Sequence, residues 1–321
     1  MMRMIRGISM THNVGTSNLA GFSTLVCNPR TVSPSFLPRS TFPHTRHFHG
    51  FHFARPRKTI FHDRRWSLSA YASSSSLELP LLPFDVNDVL VPSESKTLHL
   101  YEARYLALLE ESLFRKNKLF VHFVLDPIAV SDTSGELSFA ARHGCLVLIE
   151  NVERLDVGAL VTIRGIGRVK IIEFLQADPY LRGTILPVRD NIVEDATGSS
   201  TKVMELKDAL HNLNSLEIKL KAPKEALLQT HILNSLTWAE KGIFVDMDEK
   251  FVPSLAERVS FTAFQPISGS TKSELQSLQL KKLMAVDIKN TIERLNESLE
   301  LTKANISTMA AKLAIQSVEI R

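Results

Sequence analysis

The chain has 321 residues, of which 44% are hydrophobic and 22% charged, which is enough for one or two globular domains with buried cores. Its net charge of +4 hides an asymmetry, because residues 1–76 contain ten Arg or Lys and one acid, whereas the rest contains 28 bases and 33 acids. An acidic body disfavours a broad nucleic-acid surface, since phosphate binding needs clustered cations.

Cysteine content and hydropathy exclude two further classes. Only Cys27 and Cys145 are present, so a zinc site built from cysteines is excluded, and so is an intramolecular disulfide once the basic N-terminal segment is removed. No apolar run reaches the ~20 residues that a bilayer-spanning helix needs. We therefore expect no membrane span.

The N-terminal segment has the composition of a targeting sequence. Residues 1–72 are rich in Ser, Thr, Arg, His and Pro and almost free of acid, which predicts a disordered transit peptide. Small residues at 69–76 indicate a cleavage region. The abundance of Ser favours the chloroplast, while an Arg-bearing amphipathic stretch at 1–10 keeps the mitochondrion as the alternative. A basic tail that stays attached is the other interpretation.

Residues 77–190 are dominated by strand-like patterns. One helix interrupts them at 101–114, where apolar residues recur at helical spacing. Turns are predicted at 132–135 and 156–158. Runs that are β-branched or alternate in polarity lie at 79–84, 97–100, 119–125, 144–152, 160–175 and 180–187. Several short strands with one helix predict a small curled sheet or barrel.

After this region the pattern becomes helical. Residues 191–200 form a predicted polar linker, and residues 201–321 are predicted to form a helical bundle. Successive helices are expected to begin near Val203, Pro223, Pro253 and Thr271, with Pro in a first turn and Ser or Thr as a cap.

The end of the chain carries a heptad-like apolar stripe, which predicts one long helix over about 282–318. The stripe either packs on the chain's own bundle or forms a dimeric coiled coil. Weakly charged flanking positions argue against a strong zipper. The stripe consists of Ile288, Ile292, Leu295, Leu299, Thr302, Ile306, Met309 and Leu313.

Two blocks in the strand-rich region resemble the N-terminal domain of Lon proteases. The first is LPLLP at 79–83 followed by LHLYEARY at 98–105. The second runs from GCLV at 144–147 to PYLR at 179–182. The positions that carry the resemblance are Pro80, Leu82, Pro83, Tyr101, Glu102, Arg104, Tyr105, Gly144, Glu153, Arg154, Leu155, Gly165, Arg168, Glu173, Pro179, Tyr180 and Arg182.

The resemblance implies an α+β fold: a PUA-like, partly open β-barrel with one inserted helix, followed by an α-helical bundle that ends in a long helix. It also implies recognition of unfolded or tagged polypeptides. These signature residues are expected to build the fold, with Glu102 in a helix's first turn, Arg104 paired to it or to a strand, and glycines at turns or bulges. Ligand contact is the alternative, and the substrate-binding residues are not located by the sequence.

Motifs for catalysis and metal binding are absent from the sequence. No Gly is directly followed by Lys, so the GxxxxGK[ST] phosphate loop of the Lon ATPase is absent, and no Ser–Lys protease pair is recognisable. The histidines after residue 77 lack ligand spacing and read as core or surface residues. We therefore expect a stand-alone module without catalytic, cofactor-binding or metal-binding residues. The scattered histidines are His99, His122, His143, His211 and His231.

Taken together, the sequence predicts a non-catalytic polypeptide-binding module. Its partners would be polypeptide clients and an organellar protease or chaperone, or it would act as an assembly factor. Two alternatives stay open. PUA-like barrels of other families bind RNA, although the acidic body argues against this. An enzyme of unknown type would need a pocket with convergent polar groups.

Overall fold

The computed structural model describes residues 76–130, 137–191, 196–220, 230–241 and 247–319, together with three two-residue strands in the N-terminal segment. These are β1 (Ser9–Met10), β2 (Phe22–Ser23) and β3 (Leu25–Val26). The rest of the predicted transit peptide, the predicted turn at 132–135 and the helix start predicted near Pro223 lie outside the described residues.

Six longer strands form the main sheet, as the sequence predicts. They are β4 (Leu77–Phe84), β5 (Ser95–Leu100), β6 (Leu119–Val130), β7 (Leu137–Arg154), β8 (Ala159–Gln176) and β9 (Leu181–Pro187). Strand β4 runs parallel to β6 and antiparallel to β9, and the order β4–β6–β7–β8–β9 closes because β8 and β9 also pair. Strand β5 pairs with the first part of β8. Strand β5 therefore lies outside the ring, and the two-residue strand β2 pairs with its other edge.

The two longest strands change partners along their length. Strand β7 pairs with β8 only as far as Gly144 and Val169, and its earlier part pairs with β6 alone. The change occurs at His143, whose φ of 53° lies in the left-handed region. A Cβ on Gly144 would lie 2.6 Å from the Val169 carbonyl oxygen, so only glycine allows the two strands to approach here. Beyond this kink β6–β7 and β8–β9 leave the ring as separate ribbons.

Helix α1 (Ala103–Arg115) covers one face of the sheet. Its apolar stripe buries Tyr105, Leu108 and Leu109 in a cluster that includes Leu98 of β5 and Phe120 of β6. This confirms the single helix predicted among the strands. Burial of such side chains stabilises the fold by roughly 1.5–3 kcal/mol each.

The remaining helices are α2 (Ala196–Leu220), α3 (His231–Lys241), α4 (Leu255–Ser260), α5 (Lys272–Asp287) and α6 (Thr291–Glu319), with a 3₁₀ turn at Glu249–Phe251. Leu295, Leu299 and Met309 of α6 pack with residues of α2 that include Leu206 and Leu210. The apolar stripe at the end of the chain therefore packs within the chain's own bundle.

Two predicted boundaries were wrong. Helix α2 begins at Ala196, so residues 196–200 of the predicted linker belong to a helix. The helix is anchored further on by buried residues such as Leu206, so the polar residues in its first turns do not prevent it from forming. The predicted single helix at 282–318 is two helices. Ile288 has extended backbone, and the Asn290 side chain accepts hydrogen bonds from the first N–H groups of α6.

Candidate polypeptide-binding surface

The sheet and the helices are joined by a buried charged network centred on Arg168 of β8. Its guanidinium donates to Asp190, to Glu257 at 2.8 Å, and to the carbonyl oxygens of Val286 and Ile288 at 3.0 and 2.8 Å. These two carbonyls lie where α5 ends. The helix break that the sequence pattern did not predict is thus the place where a strand residue binds the backbone.

A second arginine completes this network from α6. Arg294 also binds Asp190, donates to the Ser260 hydroxyl at 2.7 Å, and lies over the Phe261 ring at 4.2 Å. Burial alone would raise the pKa of Asp190, but its hydrogen bonds to Arg294 and the positive charge of Arg168 hold that pKa below its usual value. Asp190 is therefore ionised and fixes both arginines.

Residues 88–94 of the loop between β4 and β5 are buried, and this part of the loop packs against α5. Lys282 of α5 donates to Glu94 at 2.6 Å and to the Val89 carbonyl at 3.2 Å. Gln279, one turn earlier, accepts from the Val89 N–H at 3.0 Å. The helix thus satisfies backbone groups that would otherwise be unpaired in a buried loop.

A third buried group lies behind this loop. His122 stacks on Phe84 with ring centroids 4.0 Å apart, and its Nε2 donates to the Asp88 carbonyl at 2.9 Å. Burial, with the charges of Lys96 and Lys282, lowers the pKa of His122, so the ring is neutral. Lys96 pairs with the Asp88 carboxylate, and burial, with the nearby charge of Lys282, lowers the pKa of that ammonium group. This cluster is sealed inside the fold.

Helix α1 and the start of β9 share a smaller polar cluster. Tyr180 donates to Glu111, and Arg182 lies 3.3 Å from the other oxygen of that carboxylate. Burial and the bond to Glu111 raise the pKa of Tyr180 to about 12. At the other end of the helix Arg104 donates to Glu102 at 2.7 Å. Glu102 is the residue before the first helical turn, and its side chain makes no capping bond.

The other positions that carry the resemblance divide by exposure. Pro80 and Leu82 are buried in β4, Pro83 is half-buried there, and the Tyr101 ring lies 5.4 Å from that of His99. A Cβ on Gly165 would lie 2.3 Å from the Val91 carbonyl oxygen. The exposed positions are Glu153, Arg154, Leu155, Glu173 and Pro179.

An apolar surface lies on the β8–β9 ribbon, and we call residues 170–176 of β8 the ribbon edge. Ile172, Phe174 and Leu175 are 51%, 49% and 46% exposed. The Phe174 ring lies 6.2 Å from that of Phe123, which is fully buried, so the ribbon edge continues the core outwards.

One backbone edge of residues 170–176 also lacks a neighbouring strand among the described residues. Among the described strands only β9 pairs with 170–176, because β7 turns away at His143. Unpaired backbone on an edge strand is a template for another extended chain. Register shifts between Ile171 and Glu173 and between Phe174 and Gln176 mark bulges that bend this ribbon. The sequence predicts this strand but not that its edge and side chains are exposed. The single acid within the apolar run IIEFL is the one sequence feature that indicates this exposure.

The described residues do not form a metal site or a membrane-spanning helix. No three His, Cys, Asp or Glu side chains in the described ranges come together in a way that suits a metal ion. Within those ranges, no helix has the length and apolar content to cross a bilayer. Burial raises the pKa of the Cys145 thiol, which makes it a poor nucleophile.

Comparison with known proteins identifies the family. Residues 78–316 match the model of the ATP-dependent protease La (LON) substrate-binding domain. Two similar solved structures are the N-terminal domain of Mycobacterium avium complex Lon protease and the Lon N-terminal domain protein from Xanthomonas campestris. The first is 16% identical over 71% of this chain and 98% of that chain, with a TM-score of 0.42. The second is 18% identical over 69% and 96%, with a TM-score of 0.35.

A comparison with curated proteins gives no match. The family model nevertheless spans the strands of the ring and the helices that follow, well over half of the chain. It therefore covers both the Arg168 network and the ribbon edge. The chain belongs to the LON substrate-binding domain family.

Proposed function

We propose that this protein binds extended segments of unfolded or client polypeptides at the ribbon edge and performs no catalysis itself. The observation that carries the proposal is an open strand edge with three half-exposed apolar side chains, Ile172, Phe174 and Leu175. An added strand would bond to the backbone edge and bury these side chains. Membership of a substrate-binding family supports the same kind of ligand.

The dimensions of the ribbon edge suit such a ligand. Seven residues of strand span roughly 20 Å, which accommodates a segment of about five or six residues. Backbone bonding accepts many sequences, while the apolar side chains favour segments that a folded protein would bury. Lys170 and Glu173 are exposed on the same strand. Charges on an edge strand disfavour pairing between the ribbon edges of two protein molecules.

The test is binding of a reduced, carboxymethylated and permanently unfolded protein to the full chain, measured by fluorescence anisotropy. The double variant Ile172→Ser/Leu175→Ser removes two exposed side chains and leaves the contact between Phe174 and Phe123 in place. Each side chain is already about half buried, so its loss should weaken binding by about 1 kcal/mol. The double variant should bind roughly 30-fold more weakly.

The matched control removes two apolar side chains elsewhere that are somewhat more exposed than Ile172 and Leu175. Leu280 and Met284 of α5 are 64% and 67% exposed, and Leu280→Ser/Met284→Ser should bind like the unchanged protein. Equal weakening by both double variants would show non-specific hydrophobic binding. Unchanged binding by Ile172→Ser/Leu175→Ser would rule out the ribbon edge.

We further propose that residues 1–72 direct the protein to the chloroplast, where clients would be passed to a separate protease or chaperone. The support is compositional, since the segment holds ten Arg or Lys and one acid, whereas the rest of the chain has more acids than bases. A fluorescent fusion to residues 1–76 should enter plastids. Entry into mitochondria would favour the alternative organelle, and a cytosolic signal would refute targeting.

A further inference from the structure

We propose that the basic turn after α1, defined as Phe114, Arg115, Lys116, Asn117 and Lys118, docks an acidic segment of a partner polypeptide that carries an apolar side chain among its carboxylates. This surface is separate from the ribbon edge, and its proposal does not depend on the client-binding function.

The apolar part of the basic turn is Phe114. Its side chain is 76% exposed, while Tyr105, Leu108 and Leu109 of the same helix are buried. Phe114 therefore lies off the face that packs on the sheet and contributes nothing to that core. An aromatic ring left in water at a helix end offers a large area for a partner to cover.

The charged part consists of three cations within four residues. Arg115, Lys116 and Lys118 form no ion pair with any residue of the described ranges. The acid one turn before Arg115 is Glu111, and its two oxygens are already occupied by Tyr180 and Arg182. The chain beyond residue 76 has more acids than bases, so this turn reverses the charge of the body around it.

The backbone that carries these side chains is held in place by hydrogen bonds. Asn117 and Lys118 have φ values of 51° and 64°, and the Lys118 N–H donates to the Ser112 carbonyl at 2.8 Å. The Lys118 carbonyl accepts from the Ile149 N–H at 2.9 Å, which ties the turn to β7. A backbone that is already fixed loses less conformational entropy on binding than a loose tail does.

The neighbouring acid favours a peptide over a broad anionic surface. Glu110 is exposed and stands four residues before Phe114, so the two side chains share one face of α1. A bilayer or a nucleic acid covering Phe114 would also meet the Glu110 carboxylate. A short peptide can place its own carboxylates beside Arg115 and Lys118 and leave Glu110 in water.

The experiment titrates the full chain into a short fluorescein-labelled peptide of repeating Glu-Glu-Leu units, with Gln-Gln-Leu units as the uncharged control. The Glu-containing peptide should bind more tightly, and its affinity should fall as salt is raised, because exposed ion pairs are screened. Arg115→Glu/Lys118→Glu should weaken binding about tenfold or more, given up to ~1 kcal/mol per exposed pair. Phe114→Ser should weaken it several-fold.

The control reverses two exposed lysines of α5, Lys272→Glu/Lys281→Glu, and should leave peptide binding unchanged if the basic turn is the site. Binding of the permanently unfolded protein should survive Arg115→Glu/Lys118→Glu, which separates this surface from the ribbon edge. The proposal fails if both reversals weaken peptide binding equally or if the peptide does not bind. It also fails if the Arg115→Glu/Lys118→Glu change abolishes binding to phosphatidylglycerol vesicles or RNA while leaving peptide binding intact.

Discussion

Replacing Arg168 by methionine should destabilise the protein more than the same replacement of an exposed arginine. The guanidinium is the partner of the buried Glu257 carboxylate and shares Asp190 with Arg294. Methionine restores part of the side-chain volume but leaves Glu257 without that cation, and the Val286 carbonyl loses its donor. Removing one partner of a buried ion pair costs about 3–5 kcal/mol, and Arg294 keeps Asp190 compensated, so we expect the lower part of that range.

The assay is urea-induced unfolding followed by circular dichroism, with Arg154→Met as the control because Arg154 is exposed on β7. Arg154→Met should change the free energy of unfolding by less than about 0.5 kcal/mol. In a Glu257→Gln background the same Arg168→Met change should cost about 1–2 kcal/mol less, since the group left without a cation is then neutral. An equal loss in both backgrounds, or a loss no larger than that of Arg154→Met, would refute the network's role.

Three further predictions concern other buried features. The pKa of His122 is lowered in the folded state, so only the unfolded chain takes up this proton as the pH falls through about 6.5. The free energy of unfolding should therefore drop by about 1.4 kcal/mol on reaching pH 5.5. Urea titrations of His122→Gln should lack this pH-dependent loss of stability. Gly165→Ala should destabilise the protein by about 1–3 kcal/mol in thermal unfolding, because the new Cβ would clash with the Val91 carbonyl oxygen. The control Gly198→Ala in α2 should be neutral or slightly stabilising, since alanine favours a helix. Tyr180→Phe should cost about 1–2 kcal/mol in urea titration because the Glu111 carboxylate loses a hydrogen bond, and an unchanged midpoint would show that solvent replaces it.

Local patterns in the sequence predicted the helices and strands. They did not predict the contacts between helices and strands that are distant in the chain. Strands and α1 were predicted because alternation and helical spacing are properties of neighbouring residues. The break at Ile288 was missed because Ile288 continues the apolar stripe, and the carbonyls that end the helix are bound by Arg168, far away in the chain. No periodicity shows such a partner.

The candidate site shows the same limit. The run IIEFL at 171–175 reads as a buried strand, and only the left-handed kink at His143, in another strand, leaves its edge open. Arg168 was identified as a signature position, but its partners Asp190 and Glu257 lie in two other segments without a shared motif, and Arg294, which shares Asp190, lies in a third. Charged residues in apolar surroundings were the one available hint.

Hydrogen exchange with mass spectrometry tests the central claim most directly. Amide exchange would be measured on the full chain with and without the permanently unfolded protein. An added strand should slow exchange in peptides that cover 170–176, because their free N–H groups become bonded, while peptides from α5 around Leu280 stay unchanged. Protection confined to segments outside the ribbon edge, with 170–176 exchanging as fast as before, would contradict the account.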